Sequence, residues 1–113
     1  MNHFVLTATL AERAALRYTP AGLPALDLGL MHESEVAQDG QPRKVSMEIK
    51  ALAIGGVTAG LSALALGSMC TYAGFITRTR NGRGLLFHIT SFDPSAVAPA
   101  LAPKTNETPS GSI

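Results

Sequence analysis

The sequence predicts an all-β domain of five short strands, with one short helix or turn between the third and the fourth. Three observations predict it. Apolar residues alternate with polar ones in several separate runs, the period of two that a half-buried strand requires. Turn-forming Gly, Pro, Asn and Asp fall between those runs. Helical spacing shows in one place, between residues 58 and 67.

Phe4, Leu6, Ala8 and Leu10 fall on one face of the first strand, with His3, Val5, Thr7 and Thr9 on the other. Residues 11–17 are rich in helix formers, which conflicts with continuing that strand. Thr19-Pro20-Ala21-Gly22 is a turn: Pro pre-sets φ at its second position, and Gly22 permits positive φ. Leu26, Leu28 and Leu30 make the second strand. Glu33 to Pro42 is polar and contains Asp39-Gly40, a loop or hairpin tip. Val45, Met47 and Ile49 make the third strand. The apolar phase slips by one at Leu52 and Ile54, which suggests a bulge or the strand end.

Thr58 could cap a short helix. Leu61, Leu64 and Ala65 share one face of it, and Gly67 stands where a C-terminal Gly belongs. Met69 to Arg80 is the fourth strand, with Gly74 marking a bend or bulge. Arg80-Asn81-Gly82-Arg83 is a hairpin turn suited to type I′ geometry. Leu85 to Phe92 is the fifth strand. This order is the plan of a five-stranded Greek-key OB-fold barrel.

The chain has 113 residues, which leaves room for one domain. Residues 1–93 are expected to form it. Residues 94–113 carry Pro94, Pro99, Pro103 and Pro109 among Ala, Ser, Thr and Asn, and are expected to be a flexible tail. A single Cys excludes a disulfide framework and any multi-cysteine metal site, and fits a reducing compartment. The N-terminus lacks the basic region of a signal peptide, so the cytoplasm is expected. Residues 51–77 carry no charge and are long enough to span a bilayer. They are rich in Ala and Gly and interrupted by Gly55-Gly56, Gly60 and Gly67. They read as strand, turn, short helix and strand within one core, not as a membrane span.

No catalytic pattern emerges. His3, His32 and His88 are widely spaced and show no zinc-site spacing. Cys70 sits in an apolar strand and reads as a buried, inert thiol. The glycines make no phosphate-binding motif. No enzyme activity, metal or cofactor is expected.

Charge is more informative. The net charge of +1 excludes a grossly basic nucleic-acid binder, although not a local basic patch. Asp27, Glu33, Glu35 and Asp39 cluster in the second strand and the loop after it. Arg43, Lys44 and Lys50 lie around the third strand, and Arg78, Arg80 and Arg83 surround the last hairpin. An OB-fold binds oligonucleotides on its second and third strands and on the first–second and fourth–fifth loops. The basic residues therefore fall where a groove for a single-stranded backbone needs them. Tyr18, Tyr72, Phe75 and Phe87 are the candidate base-stacking platforms, although each also suits the core. Phe4 and Phe92 read as core.

Three ordered segments carry a family resemblance: Asn2-His-Phe-Val-Leu-Thr-Ala-Thr-Leu10, Leu16-Arg-Tyr-Thr-Pro-Ala-Gly-Leu-Pro24 and Leu28-Gly-Leu-Met-His-Glu-Ser34. Leu66-Gly-Ser68, Gly74-Phe-Ile76, the basic hairpin and Leu86-Phe-His88 continue it across residues 2–93. The chain resembles the bacterial single-stranded-DNA-binding-protein superfamily, and within it the primosomal replication protein N (PriB) family. The resemblance implies a homodimeric OB-fold that binds single-stranded DNA during replication restart. It implies the helicase PriA, the loading factor DnaT and single-stranded-DNA-binding protein as partners. It also implies that residues 11–18 continue the first strand and its loop.

Position by position, the resemblance makes Arg17 and Arg43 DNA-facing, and Arg78, Arg80 and Arg83 the basic last hairpin. Ser46 stands where better-known members carry Trp, Gln41-Pro42 where they carry an aromatic, and Glu33 where a basic residue is usual. These departures remove stacking and one phosphate contact. With Tyr18, Lys44 and Lys50, these positions make up the expected DNA-binding set. Two other functions fit parts of the sequence. A general replication single-strand-binding protein shares Tyr18 to Gly22 but typically ends in an acidic, aromatic-tipped tail, unlike Glu107 to Ile113. A protein-binding OB-fold adaptor with negligible DNA affinity fits Glu33 and Ser46.

Overall fold

The structure, a computed structural model, describes residues 1–94. The tail expected at 94–113 therefore lies outside the described residues, apart from Pro94. The elements are β1 (Phe4–Arg13), β2 (Arg17–Tyr18), β3 (Pro24–Gln38), β4 (Gln41–Ile54), α1 (Val57–Ala63), β5 (Met69–Arg78) and β6 (Leu85–Asp93). The sheet runs β1-β5-β6-β4-β3-β2, and a second pairing, β1 with β3, closes five of the strands into the expected OB-fold barrel. Two-residue β2 adds to the outer edge of β3 through Arg17↔Ala25 and Tyr18↔Pro24. Every pairing is antiparallel except β4 with β6.

Closure depends on β1 changing partners. Phe4 to Thr9 pair with β5, and Thr9 to Arg13 pair with β3. The register shifts between Leu10 and Glu12, so Ala11 is an extra residue that bends the strand. Helical propensity in residues 11–17 is overridden by this pairing, because tertiary contacts outweigh differences of a few tenths of a kcal/mol per residue.

The core is built from one face of each strand. Leu6, Ala8 and Leu10 meet Leu26, Leu28, Leu30, Ala51, Ala53, Tyr72, Phe87 and Ile89, all buried, with Leu61 of α1 against them. Each fully buried Leu contributes about 1.5–3 kcal/mol by leaving water. Phe4 and Phe92 pack on this cluster, and Phe4 meets Phe87 edge-on at 5.0 Å. Arg13 is held by the carbonyls of Leu61 and Leu64, which ties the end of α1 to β1.

Several local expectations are corrected. Residues 33–42 are not a loop: β3 runs to Gln38 and β4 starts at Gln41. Only Asp39-Gly40 turns the chain, with φ of 53° and 75°, the two positive values of a type I′ hairpin. Of the two alternatives at Leu52 and Ile54, the strand end holds and the bulge does not: β4 ends at Ile54, and β3–β4 pairing is continuous from Gln38↔Gln41 to Ala25↔Ile54. Ala51 and Ala53 keep the inward phase, while Leu52 is half-buried and Ile54 exposed on the other face.

Thr58 is not a cap. It lies inside α1 and its hydroxyl donates to the Gly55 carbonyl at 2.7 Å, behind an N-cap at Gly56. Gly67 does not end the helix either. Its φ is 91°, and its N–H and the carbonyl of Ser68 bond to the backbone of Leu10. The last hairpin is not type I′. Gly82 N–H bonds to the Thr79 carbonyl, and Gly82 is its only residue with positive φ. Asn81 instead accepts from Arg83 N–H through its side chain, at 2.9 Å.

Gly74 marks the expected bulge, but the extra residue is Thr90 on the opposite strand: Ala73 faces Ser91, and Gly74 faces Ile89. A Cβ on Gly74 would lie 1.7 Å from the His88 carbonyl oxygen, so only Gly permits this approach. The longest helix among the described residues has seven residues, and no helix there is long and apolar enough to cross a membrane.

Two buried acids make stability pH-dependent. Burial pushes the Cys70 thiol up, and burial followed by the neighbouring Cys70 thiol pushes the Tyr72 phenol well above its ordinary value. Among the described residues the Tyr72 hydroxyl has no hydrogen-bond partner. Both groups hold their protons in the fold and lose them first in the unfolded chain, near pH 8.5 and pH 10. The contribution of these two groups is therefore fully present below about pH 8.5 and declines as pH rises, by up to about 1.4 kcal/mol per pH unit for each group. Urea melts of the native protein and Tyr72→Phe at pH 7 and pH 10.5 test this. Tyr72→Phe should be at least as stable at pH 7, because it removes an unpaired buried hydroxyl. Its alkaline loss should be shallower. An equal or steeper alkaline loss would contradict the assignment.

Candidate nucleic-acid interface

Strand alternation decides which candidate side chains share a surface. In β4, Ile49, Ala51 and Ala53 face the core, so Lys44, Ser46, Glu48 and Lys50 face outward. Their cross-strand partners on β3 are Glu35, Glu33, Met31 and Gly29. Asp27 lies further along the same face, opposite Leu52. The outward face of this sheet thus presents Asp27, Glu33, Glu35 and Glu48 against Lys44 and Lys50. It is acidic, although it is the surface on which an OB-fold takes oligonucleotides.

The nine expected positions are all exposed, but they do not form one cluster. Lys44, Ser46 and Lys50 share the outward face of β4. Arg43 has the opposite parity and pairs with Val36, so it lies on the other face of the hairpin. From His32↔Met47 to the tip, β3 and β4 pair only with each other among the described residues, as a projecting two-stranded ribbon. Arg78 ends β5, and Arg80 and Arg83 belong to the connection to β6. That connection is held by the Asn81 side chain and by a Thr79 N–H to Gly84 carbonyl bond of 2.9 Å.

Arg17 and Tyr18 form β2, beside β3. Arg17 is already engaged. Its Nε and Nη2 donate to the two carboxylate oxygens of Asp27 at 2.8 and 3.2 Å. The bond and the charge of Asp27 raise the guanidinium's pKa, so it stays fully charged. A bidentate carboxylate matches the geometry a phosphate would use on the same fork. Asp27 therefore competes with DNA for Arg17.

Burial sorts the four aromatic candidates. Tyr72 and Phe87 are wholly buried core residues and cannot stack on a base. Tyr18 is 65% exposed and Phe75 38% exposed. Sequence reasoning missed two participants: Asp27 as the partner of Arg17, and His88 as the ring against Phe75. The alternation of Asp27 with Leu26 and Leu28 placed it outward, but nothing local placed it diagonally across from Arg17, whose direct partner is Ala25. Among the described residues no group of three or more His, Cys, Asp or Glu could hold a metal ion.

Comparison with known proteins converges on one family. Residues 2–91 match the family model described as "Another single-strand binding protein family". The replication restart protein PriB of Bordetella pertussis is 45% identical over 80 residues, which is 71% of this chain and 75% of that protein. The structure of PriB from Ralstonia solanacearum superposes with a TM-score of 0.76 at 33% identity, over 82% of this chain and 96% of that one. The single-stranded DNA binding protein of Thermus aquaticus superposes with a TM-score of 0.66 at 26% identity, over 82% of this chain and 49% of that one. A closed barrel with these matches over most of its length belongs to the single-strand binding protein family, in its replication restart protein PriB branch.

Proposed function

We propose that this chain is a non-catalytic, single-stranded-DNA-binding accessory protein of replication restart in the cytoplasm. In this reading it bridges the restart helicase PriA to the loading factor DnaT and works alongside single-stranded-DNA-binding protein. The observation that carries the DNA-binding reading is the basic connection Arg78–Arg83. It is the fourth–fifth strand loop that an OB-fold uses for oligonucleotides, and it is held in shape by its own side-chain and backbone bonds. Its arginines contact phosphates, and Lys44 and Lys50 add to them from β4. The homodimer in this reading uses the edge of β1. Among the described residues Phe4 to Ala8 pair on one side only, with β5, and an unpaired strand edge is a template for a second copy.

A second reading, a protein-binding adaptor with little DNA affinity, is favoured by the four carboxylates on the β3–β4 face. Fluorescence-anisotropy titration with single- and double-stranded oligonucleotides separates the two. The DNA-binding reading expects preference for the single strand. Absence of single-strand binding at low salt selects the adaptor.

Three further outcomes follow from the charge layout. If four to five phosphates are neutralised, log K for an oligo-dT strand falls against log salt with a slope of about −3. A salt-independent affinity is incompatible with this. Replacing Arg78, Arg80 and Arg83 together by Ala removes most DNA binding while the dimer persists in sedimentation. Undiminished binding by that folded variant would refute the role of the hairpin. Asp27→Asn frees Arg17 for phosphate, so affinity rises and the salt slope steepens by up to about 0.7. A weaker affinity or a shallower slope in the same titration would show that Asp27 does not compete.

A further inference from the structure

We propose that Phe75 and His88 together form a base-stacking platform for single-stranded nucleic acid on the outer face of β4, β6 and β5. The proposal rests on the DNA-binding reading above; it takes Phe75 from the stacking candidates and adds His88, which no binding expectation included.

Alternation along β5 sends Tyr72, Gly74 and Ile76 inward, and Thr71, Ala73, Phe75 and Thr77 outward. Phe75 is thus the one aromatic on a strand face otherwise made of small and hydroxylated residues and Met69. It keeps 38% of its surface in contact with solvent. Neither Phe75 nor His88 is among the buried residues of the core cluster. Phe75 in particular stands on the outward face of its strand.

The two rings are arranged as a unit. They face each other directly in the β5–β6 register, with centroids 4.7 Å apart and planes 13° from parallel. The backbone holds them there. Gly74 lets β6 approach to a distance at which a Cβ would overlap the His88 carbonyl, and the extra residue Thr90 follows at once. The platform is consequently in place before any ligand arrives, which lowers the ordering cost of binding.

Its surroundings suit a nucleic-acid base. Half-buried Leu52 lies beside His88 in the parallel β4–β6 pairing. One step back along those strands, Lys50 and Leu86 line a common recess. Arg78, three residues along β5 from Phe75, has the opposite parity and does not share its face. The recess is also lined by Glu12 and Asp27, so the site offers aromatic and apolar surface more than positive charge, and base stacking carries it. The platform also answers the absence of an aromatic at Ser46: stacking is supplied from β5 and β6 instead of from β4.

Anisotropy titrations of fluorescein-labelled oligo-dT test the proposal, with wild type, Phe75→Ala and Phe75→Tyr at two salt concentrations. Loss of one base stack should weaken Phe75→Ala by about 5- to 100-fold, with the salt slope unchanged because no phosphate contact is lost. Phe75→Tyr should bind like wild type. Wild type should also prefer oligo-dT over a strand of the same length with abasic residues, and Phe75→Ala should lose that preference. Undiminished binding by folded Phe75→Ala overturns the platform and leaves the DNA-binding reading intact. Failure of wild type to bind any single strand overturns both. If Phe75→Ala does not fold, Phe75→Leu and the abasic comparison in wild type decide, and equal binding of the two strands by wild type overturns the platform.

Discussion

The change of partner in β1 is the constraint on which the rest depends. One strand must serve β5 along its first half and β3 along its second, and the extra residue Ala11 lets it bend between them. The backbone of Leu10 is locked at that point by bonds to Gly67 and Ser68, which bring the chain out of α1 and into β5. Arg13 then ties the end of α1 back to β1. The closed core, the position of β5 and the start of the projecting β3–β4 ribbon all follow from this bend. So does the one-sided edge at Phe4 to Ala8.

Charge is distributed by the pleat and not by sequence neighbourhood. Arg43 and Lys44 are adjacent in the chain, yet they point to opposite faces of the hairpin. Glu33, Glu35, Glu48 and Asp27, scattered in the sequence, converge on the outward face of β3–β4. A net charge of +1 thus conceals an acidic β3–β4 face and a basic β5–β6 connection. The loop, unlike the face, has no acidic neighbour in the chain between Lys50 and Asp93. Positive charge is thus separated from the carboxylates by the fold and not by the chain's overall balance.

Much of the fold was legible in local pattern. The alternation in residues 4–10, 26–30 and 45–49 identified strands and the faces they bury, because a period of two has only one inward set. Errors arose where two local signals competed. Asp39-Gly40 and Asn81-Gly82 both suit a type I′ turn. Long, continuous pairing on both sides leaves two residues at the first, whereas at the second the Thr79 and Asn81 side chains capture the backbone of Arg83. Leu52 and Ile54 suggested a slip because they are larger than Ala51 and Ala53. The inward positions there take small residues, and the larger side chains serve the outer surface.

What the sequence by itself determined was the five barrel strands, the turns at Gly22 and Asp39-Gly40, the OB-fold order and the family, but not the two-residue edge strand β2. These rest on local periodicity and on residue types with special backbone freedom. Only the tertiary structure decided that Tyr72 and Phe87 are core while Phe75 is surface, that Asp27 holds Arg17, and that His88 lies on Phe75. Each of these depends on which residues stand opposite across strands distant in the chain. Alternation states that a strand has two faces. Register and barrel closure decide which neighbours those faces meet.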